Sequence, residues 1–134
     1  MFTISGVGEK TAIALLTLFK TYQGTNQAQI TALAGLDPVR RESGTSVKGK
    51  VNISKNGKGI YRKIFYLPTV CATVYNQKIW IFYQRLLANH KTKKLAIIAS
   101  MRKILLIAHA MCIEIRQNML LLKFFKIFTI KYSV

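Results

Sequence analysis

Between residues 40 and 63 the chain concentrates eight cations (Arg40, Arg41, Lys48, Lys50, Lys55, Lys58, Arg62 and Lys63) among four glycines. Ser43, Thr45, Ser46, Asn52, Ser54 and Asn56 fill much of the space between them. Short polar side chains bond their own backbone and glycine enters turn conformations freely, so this is loop and turn chemistry rather than helix. The expectation is a short strand or hairpin around Lys50–Ser54, closed at Lys55-Asn56-Gly57. Any fold for this chain has to carry that insert between its regular elements.

On either side the apolar spacing turns helical. Thr11–Lys20 offers Ile13, Leu15, Leu16 and Phe19 to a core, and Gln29–Ala34 reads as a short helix ended by Gly35 and Asp37-Pro38. After the insert, Ile64, Leu67, Val70/Cys71 and Val74, then Ile79, Phe82/Tyr83 and Leu86/Leu87, fit one long helix or two broken near Pro68 or Asn76. Leu95–Met111 repeats the signal through Ile97/Ile98, Met101, Ile104/Leu105, Ala108 and Cys112. These stripes are read as core. The fold class is therefore mainly α, with a basic Gly-rich loop or short hairpin insert followed by long packed helices.

Composition narrows the partners. Twenty-one Lys and Arg face four acidic residues, a formal net charge of +17, while 51% of the 134 residues are hydrophobic. A compact chain so charged repels itself unless a polyanion neutralises it. The apolar content excludes a disordered basic tail. Cys71 and Cys112, with only His90 and His109 to assist, do not compose a zinc site and read as buried thiols in a reducing cytosol. No signal peptide is expected at the N-terminus. The apolar runs Leu95–Ile115 and Met119–Val134 are interrupted by charge, so no membrane span is expected, and an interfacial basic helix in the tail is the minor alternative.

Two constellations bear on chemistry. Gly6-Val7-Gly8-Glu9-Lys10-Thr11 is a tight Gly-x-Gly turn opening a helix, where free amides and Lys10 favour an anion. A nucleotide-binding P-loop fails for want of the upstream glycine and strand. What remains is a helix–hairpin–helix turn that grips DNA backbone, or a plain helix start. The second is Ser43-Gly44 beside Arg40 and Arg41: guanidiniums stabilise charge developing on a phosphoryl group under attack, but serine before glycine is also ordinary turn chemistry. Tyr61, near Arg62, lacks the Arg and His partners that a tyrosine nucleophile needs and reads as structural.

In order along the chain stand Gly6-Val7-Gly8-Glu9-Lys10-Thr11-Ala12, Ala34-Gly35-Leu36-Asp37-Pro38, Ser43-Gly44-Thr45-Ser46-Val47-Lys48-Gly49-Lys50, Ile53-Ser54-Lys55-Asn56-Gly57, Arg62, and Met101-Arg102-Lys103. This ordered set resembles the C-terminal domain of bacterial insertion-sequence transposases of the "IS-one-ten" kind over roughly residues 3–111. The resemblance implies a helical domain with a helix–hairpin–helix start. It implies a serine that attacks DNA to form a phosphoserine link, which falls on Ser43, and a structured guide RNA. It places Lys48, Lys50, Lys55 and Arg62 as the basic neighbours of that serine. Phosphate contacts are expected from these four, from Gly6, Gly8, Lys10 and Thr11 at the helix-opening turn, and from Arg40, Arg41 and Lys63 in the basic stretch. In such transposases a separate RuvC-like domain holds Mg²⁺ through acidic residues. Glu9, Asp37, Glu42 and Glu114 do not replace it, so this chain is expected to hold no metal or other cofactor itself.

Residues 1–111 are thus expected to form the serine-bearing, DNA-binding domain. Residues 112–134, rich in Ile, Leu, Phe and Lys, look like a frame-shifted tail, and the whole like a truncated copy that binds nucleic acid without recombining it. Expected partners are DNA, the guide RNA and further copies of the chain, at the nucleoid in a bacterial cytoplasm. The competing reading is a stand-alone architectural or ribosomal-type protein that needs the charge but not Ser43.

Overall fold

The computed structural model describes residues 8–39, 42–43, 47–48, 52–54 and 56–132, with side chains for 8–39, 53–54 and 56–119. Helix α1 spans Glu9–Thr21 and α2 Gln27–Leu33; four two-residue strands follow (β1 Pro38–Val39, β2 Glu42–Ser43, β3 Val47–Lys48, β4 Asn52–Ile53). Then come α3 (Gly59–Tyr75), α4 (Gln77–Ala88) and α5 (Lys93–Tyr132). The architecture is mainly α, as the periodicity implies.

Local chemistry sets the helix ends. Asn26 and Gln29 form a capping box: the Gln29 amide donates to Asn26 Oδ1 at 2.8 Å, and the Asn26 amide to Gln29 Oε1 at 2.9 Å. The far end of α2 closes through Gly35 at φ +65°, where a side chain would be strained. The Gly35 amide donates to Ala32 O (2.8 Å) and the Leu36 amide to Thr31 O (3.0 Å), so orphan carbonyls are satisfied while Leu36 enters the core. Asn76 separates α3 from α4 and serves both. Its amide donates to Ala72 O at 3.0 Å, and its side chain accepts from the Lys78 and Ile79 amides. The break thus falls at Asn76, and α3 runs through Pro68.

The core joins Leu15, Leu18 and Phe19 of α1, Ile30 of α2, Ala34 and Leu36, Tyr61 and Phe65 of α3, and Met101, Leu105 and Ala108 of α5. Burying a side chain the size of Leu18 contributes about 1.5–3 kcal/mol. A smaller cluster, Ala72, Ile79 and Ile104, ties α3 and α4 to α5. At these crossings Thr69 and Ser100 are buried and turn their hydroxyls back on Phe65 O and Ala96 O, so neither hydroxyl is left unpaired.

Several stripe assignments shift. On α3 the inward face is Tyr61, Phe65, Thr69 and Ala72/Thr73, whereas Leu67, Val74 and Cys71 are exposed; on α1, Ile13 and Leu16 point outward and Leu18 inward. Helix α3 carries apolar residues on two sides, and hydropathy alone did not rank them. Cys112 is half-buried, so neither thiol is a fully buried core group. By length and composition alone the Lys93–Met119 part of α5 could cross a membrane, an 18-residue window within it having mean hydropathy 1.7. Its Met101, Leu105 and Ala108 nevertheless pack in the core formed with α1, α2 and α3. Helix α5 passes unbroken through residues 111–112.

Candidate nucleic-acid interface

The four short strands make two nested antiparallel ladders. Pro38 pairs with Ile53 and Val39 with Asn52; further out, Glu42 pairs with Lys48 and Ser43 with Val47. Among the described residues the outermost pair of this hairpin is Ser43 with Val47, so Lys55-Asn56-Gly57 does not close it as the turn residues suggested. Asn52–Ile53 is its returning strand, and Asn56-Gly57 serves the base instead of the tip. Ser43 stands at the outermost described backbone pair, opposite Val47, and Lys48 stands opposite Glu42 at the next pair.

A clasp holds the base of this hairpin. The Ser54 amide donates to Asp37 O at 2.9 Å, and the Ser54 hydroxyl donates to Asp37 Oδ1. Both chain ends are fixed where they leave the helices. Gly57 lies flat on the end of α2: a Cβ there would collide with the carbonyls of Ala32 and Leu33 and the Gly35 amide. Because the backbones approach so closely, the Lys58 amide reaches Leu33 O at 3.1 Å. From the first turn of α3, Arg62 Nη1 donates to Ala34 O and Gly57 O, each at 3.3 Å. Arg62 thus bridges the end of α2 to the return of the hairpin, and its charge meets the negative end of the α2 dipole. Lys58 Nζ sits 5.9 Å from the centre of the Tyr22 ring.

The remaining candidates are dispersed. Gly8 is the N-cap of α1 in an extended conformation (φ −80°, ψ 171°); its carbonyl accepts from the Thr11 and Ala12 amides at 3.1 and 3.0 Å. Among the described residues no side chain caps that end, and none lies within 4 Å of where a Cβ at Gly8 would stand. The Glu9 and Lys10 amides are thus left outside the helical ladder. Lys10 is exposed, and Thr11 is buried with its amide already used. Lys63 is exposed on α3. Gly6, Arg40, Arg41, Lys50 and Lys55 lie outside the described residues, and for Ser43 and Lys48 only the backbone is described.

Charge-based reading missed the clasp residues Gly35, Asp37, Ser54 and Gly57. Their signal was present as ordered short blocks on both sides of the basic stretch. Among the described residues no three His, Cys, Asp or Glu side chains gather. The Asp37 carboxylate accepts from the Ser54 hydroxyl and so belongs to the clasp.

The family model described as transposase IS116/IS110/IS902 matches residues 1–84, which include the clasp and the hairpin. The pilin gene-inverting proteins of Moraxella lacunata and Moraxella bovis are each 34% identical over 118 residues, 87% of this chain. The chain spans 36% of the length of these curated relatives.

Proposed function

Because the chain belongs to the IS116/IS110/IS902 transposase family, we propose that it is the DNA-gripping, serine-bearing part of a recombinase that cuts and rejoins DNA. The observation that carries this reading is the position of Ser43: it stands at the last pair of a cation-rich hairpin whose base is clamped between α2 and α3. A nucleophile on a braced support keeps its aim.

In the proposed reaction Ser43 Oγ forms an ester with a DNA phosphorus while a sugar oxygen leaves and takes up the proton. Attack by a sugar hydroxyl on that ester later releases the serine and rejoins the strand. Arg40, Arg41, Lys48, Lys50, Lys55 and Lys63 neutralise phosphates around that centre. The open end of α1 receives another phosphate at Gly6, Gly8 and the Glu9 and Lys10 amides, in the manner of a helix–hairpin–helix turn. Thr11 and Arg62 contribute by holding this geometry.

Magnesium, a guide RNA and further copies of the chain belong to the complete recombinase in this proposal, with the metal held by residues other than these. Alone, the chain binds DNA without cleaving it. The test grafts this domain into the M. lacunata pilin gene-inverting protein in place of its matching part and scores DNA inversion and denaturation-stable protein–DNA adducts. The expected result is that Ser43→Ala abolishes both while salt-dependent DNA binding persists. An adduct that survives Ser43→Ala overturns the serine assignment.

A further inference from the structure

Away from the hairpin tip, the loop after α1 and the outer part of α5 enclose a cleft of about 250 Å³, open to solvent on one side. Phe19, Tyr22 and His109 are its aromatic lining, and Gln23, Thr25, Arg116 and Gln117 are polar residues around it. The His109 ring is 5% exposed and lies tilted 54° to Phe19, with ring centres 5.4 Å apart. Its Nδ1 is sealed from solvent with no hydrogen-bond partner. Burial, and next the charge of Arg116, push the His109 pKa down against a weaker opposing contribution from the Thr25 backbone. The imidazole is therefore a neutral ring at neutral pH, an aromatic surface and not a cation.

We propose that this cleft receives one unstacked base of a nucleic-acid strand, stacked on the half-buried Tyr22 ring beside the buried His109, with Arg116 on the adjoining phosphate. Proteins that take a base out of its stack hold it between aromatic or apolar groups and read its edge with hydrogen bonds. Two amide side chains at the rim, Gln23 and Gln117, each offer a donor and an acceptor suited to such an edge. Tyr22 also connects the cleft to the interface already described, because Lys58 at the clasp lies over the same ring. A strand whose phosphates pass Lys58 is thereby led to the mouth of the cleft. A free planar metabolite would need no such basic approach.

This inference rests on the nucleic-acid reading, and the experiment separates the two. Three DNAs are compared with the full chain by fluorescence anisotropy: a paired duplex, the same duplex with one bulged 2-aminopurine, and one with a bulged abasic sugar. The bulged base is expected to bind about tenfold tighter than the abasic bulge, within the range for one stacked base, with quenched 2-aminopurine emission. Tyr22→Leu, verified as folded by circular dichroism, brings the two bulges level and leaves duplex affinity unchanged. Equal affinity of base and abasic bulges for the unaltered chain, with duplex binding intact, overturns the cleft and leaves the interface standing. No salt-dependent binding to any of the three overturns both.

Discussion

Replacing Arg62 with alanine separates a brace from a phosphate contact. The side chain is half-buried and donates to Ala34 O and Gly57 O, both at 3.3 Å. Hydrogen bonds involving a charged group contribute roughly 1.5–3 kcal/mol each. Both of these are long and share one nitrogen, so the pair together is worth about 2 kcal/mol. For a chain between the size classes usually compared, 1 kcal/mol moves the midpoint by about 4 °C, so Tm is expected to fall by about 8 °C. Arg62→Lys, with a single compact donor, should recover less than half of that. The assay is thermal and urea unfolding followed by circular dichroism, with hydrogen exchange at the Lys58 amide as a local readout. A solvent-facing phosphate contact behaves differently: stability is unchanged, and the slope of log affinity against log salt becomes shallower by about 0.9. That outcome would refute the clasp.

Three further outcomes are expected. Gly57→Ala drives a methyl into the carbonyls ending α2 and should cost about 1–3 kcal/mol, read as a lower urea midpoint; a neutral result would contradict the close backbone approach. Asn26→Ala removes the capping box of α2 and should cost about 1 kcal/mol in the same measurement. The His109 pKa is depressed by burial and by Arg116, so the unfolded chain binds the proton more readily. Stability should be full above pH 6.5 and decline as pH falls below it toward the folded value. His109→Gln should flatten the Tm profile between pH 7.5 and 5.5, and an unchanged profile would count against the assignment.

How much of this was legible beforehand differs between helices and insert. Helical periodicity with Gly35 and Asn76 as punctuation carries the element order, because each of those residues acts within a few neighbours; the Asn26 cap, which starts α2 at Gln27 rather than Gln29, was missed. The inward face of α3 was not legible: Leu67 and Val74 look more apolar than Thr69 and Thr73, yet the small threonines lie buried and the larger side chains outside. Hydropathy records what a residue prefers, not which partner helix it meets. The hairpin register was misjudged for a related reason. Asn56-Gly57 has turn composition, but glycine is required there by long-range contact with α2, which no local window contains. Arg62 was legible as a cation and not as a brace, since its acceptors are backbone carbonyls, one of them 28 residues away.

The central claim is that the cationic hairpin grips nucleic-acid phosphates, and the salt dependence of DNA affinity tests it most directly. For the full chain a log–log slope of roughly −5 is expected, equivalent to about six neutralised phosphates. Replacing Lys48, Lys50 and Lys55 together with glutamine should make it shallower by about 2.7, with helical content unchanged. A flat slope, or one that the triple replacement leaves as it was, would contradict the account.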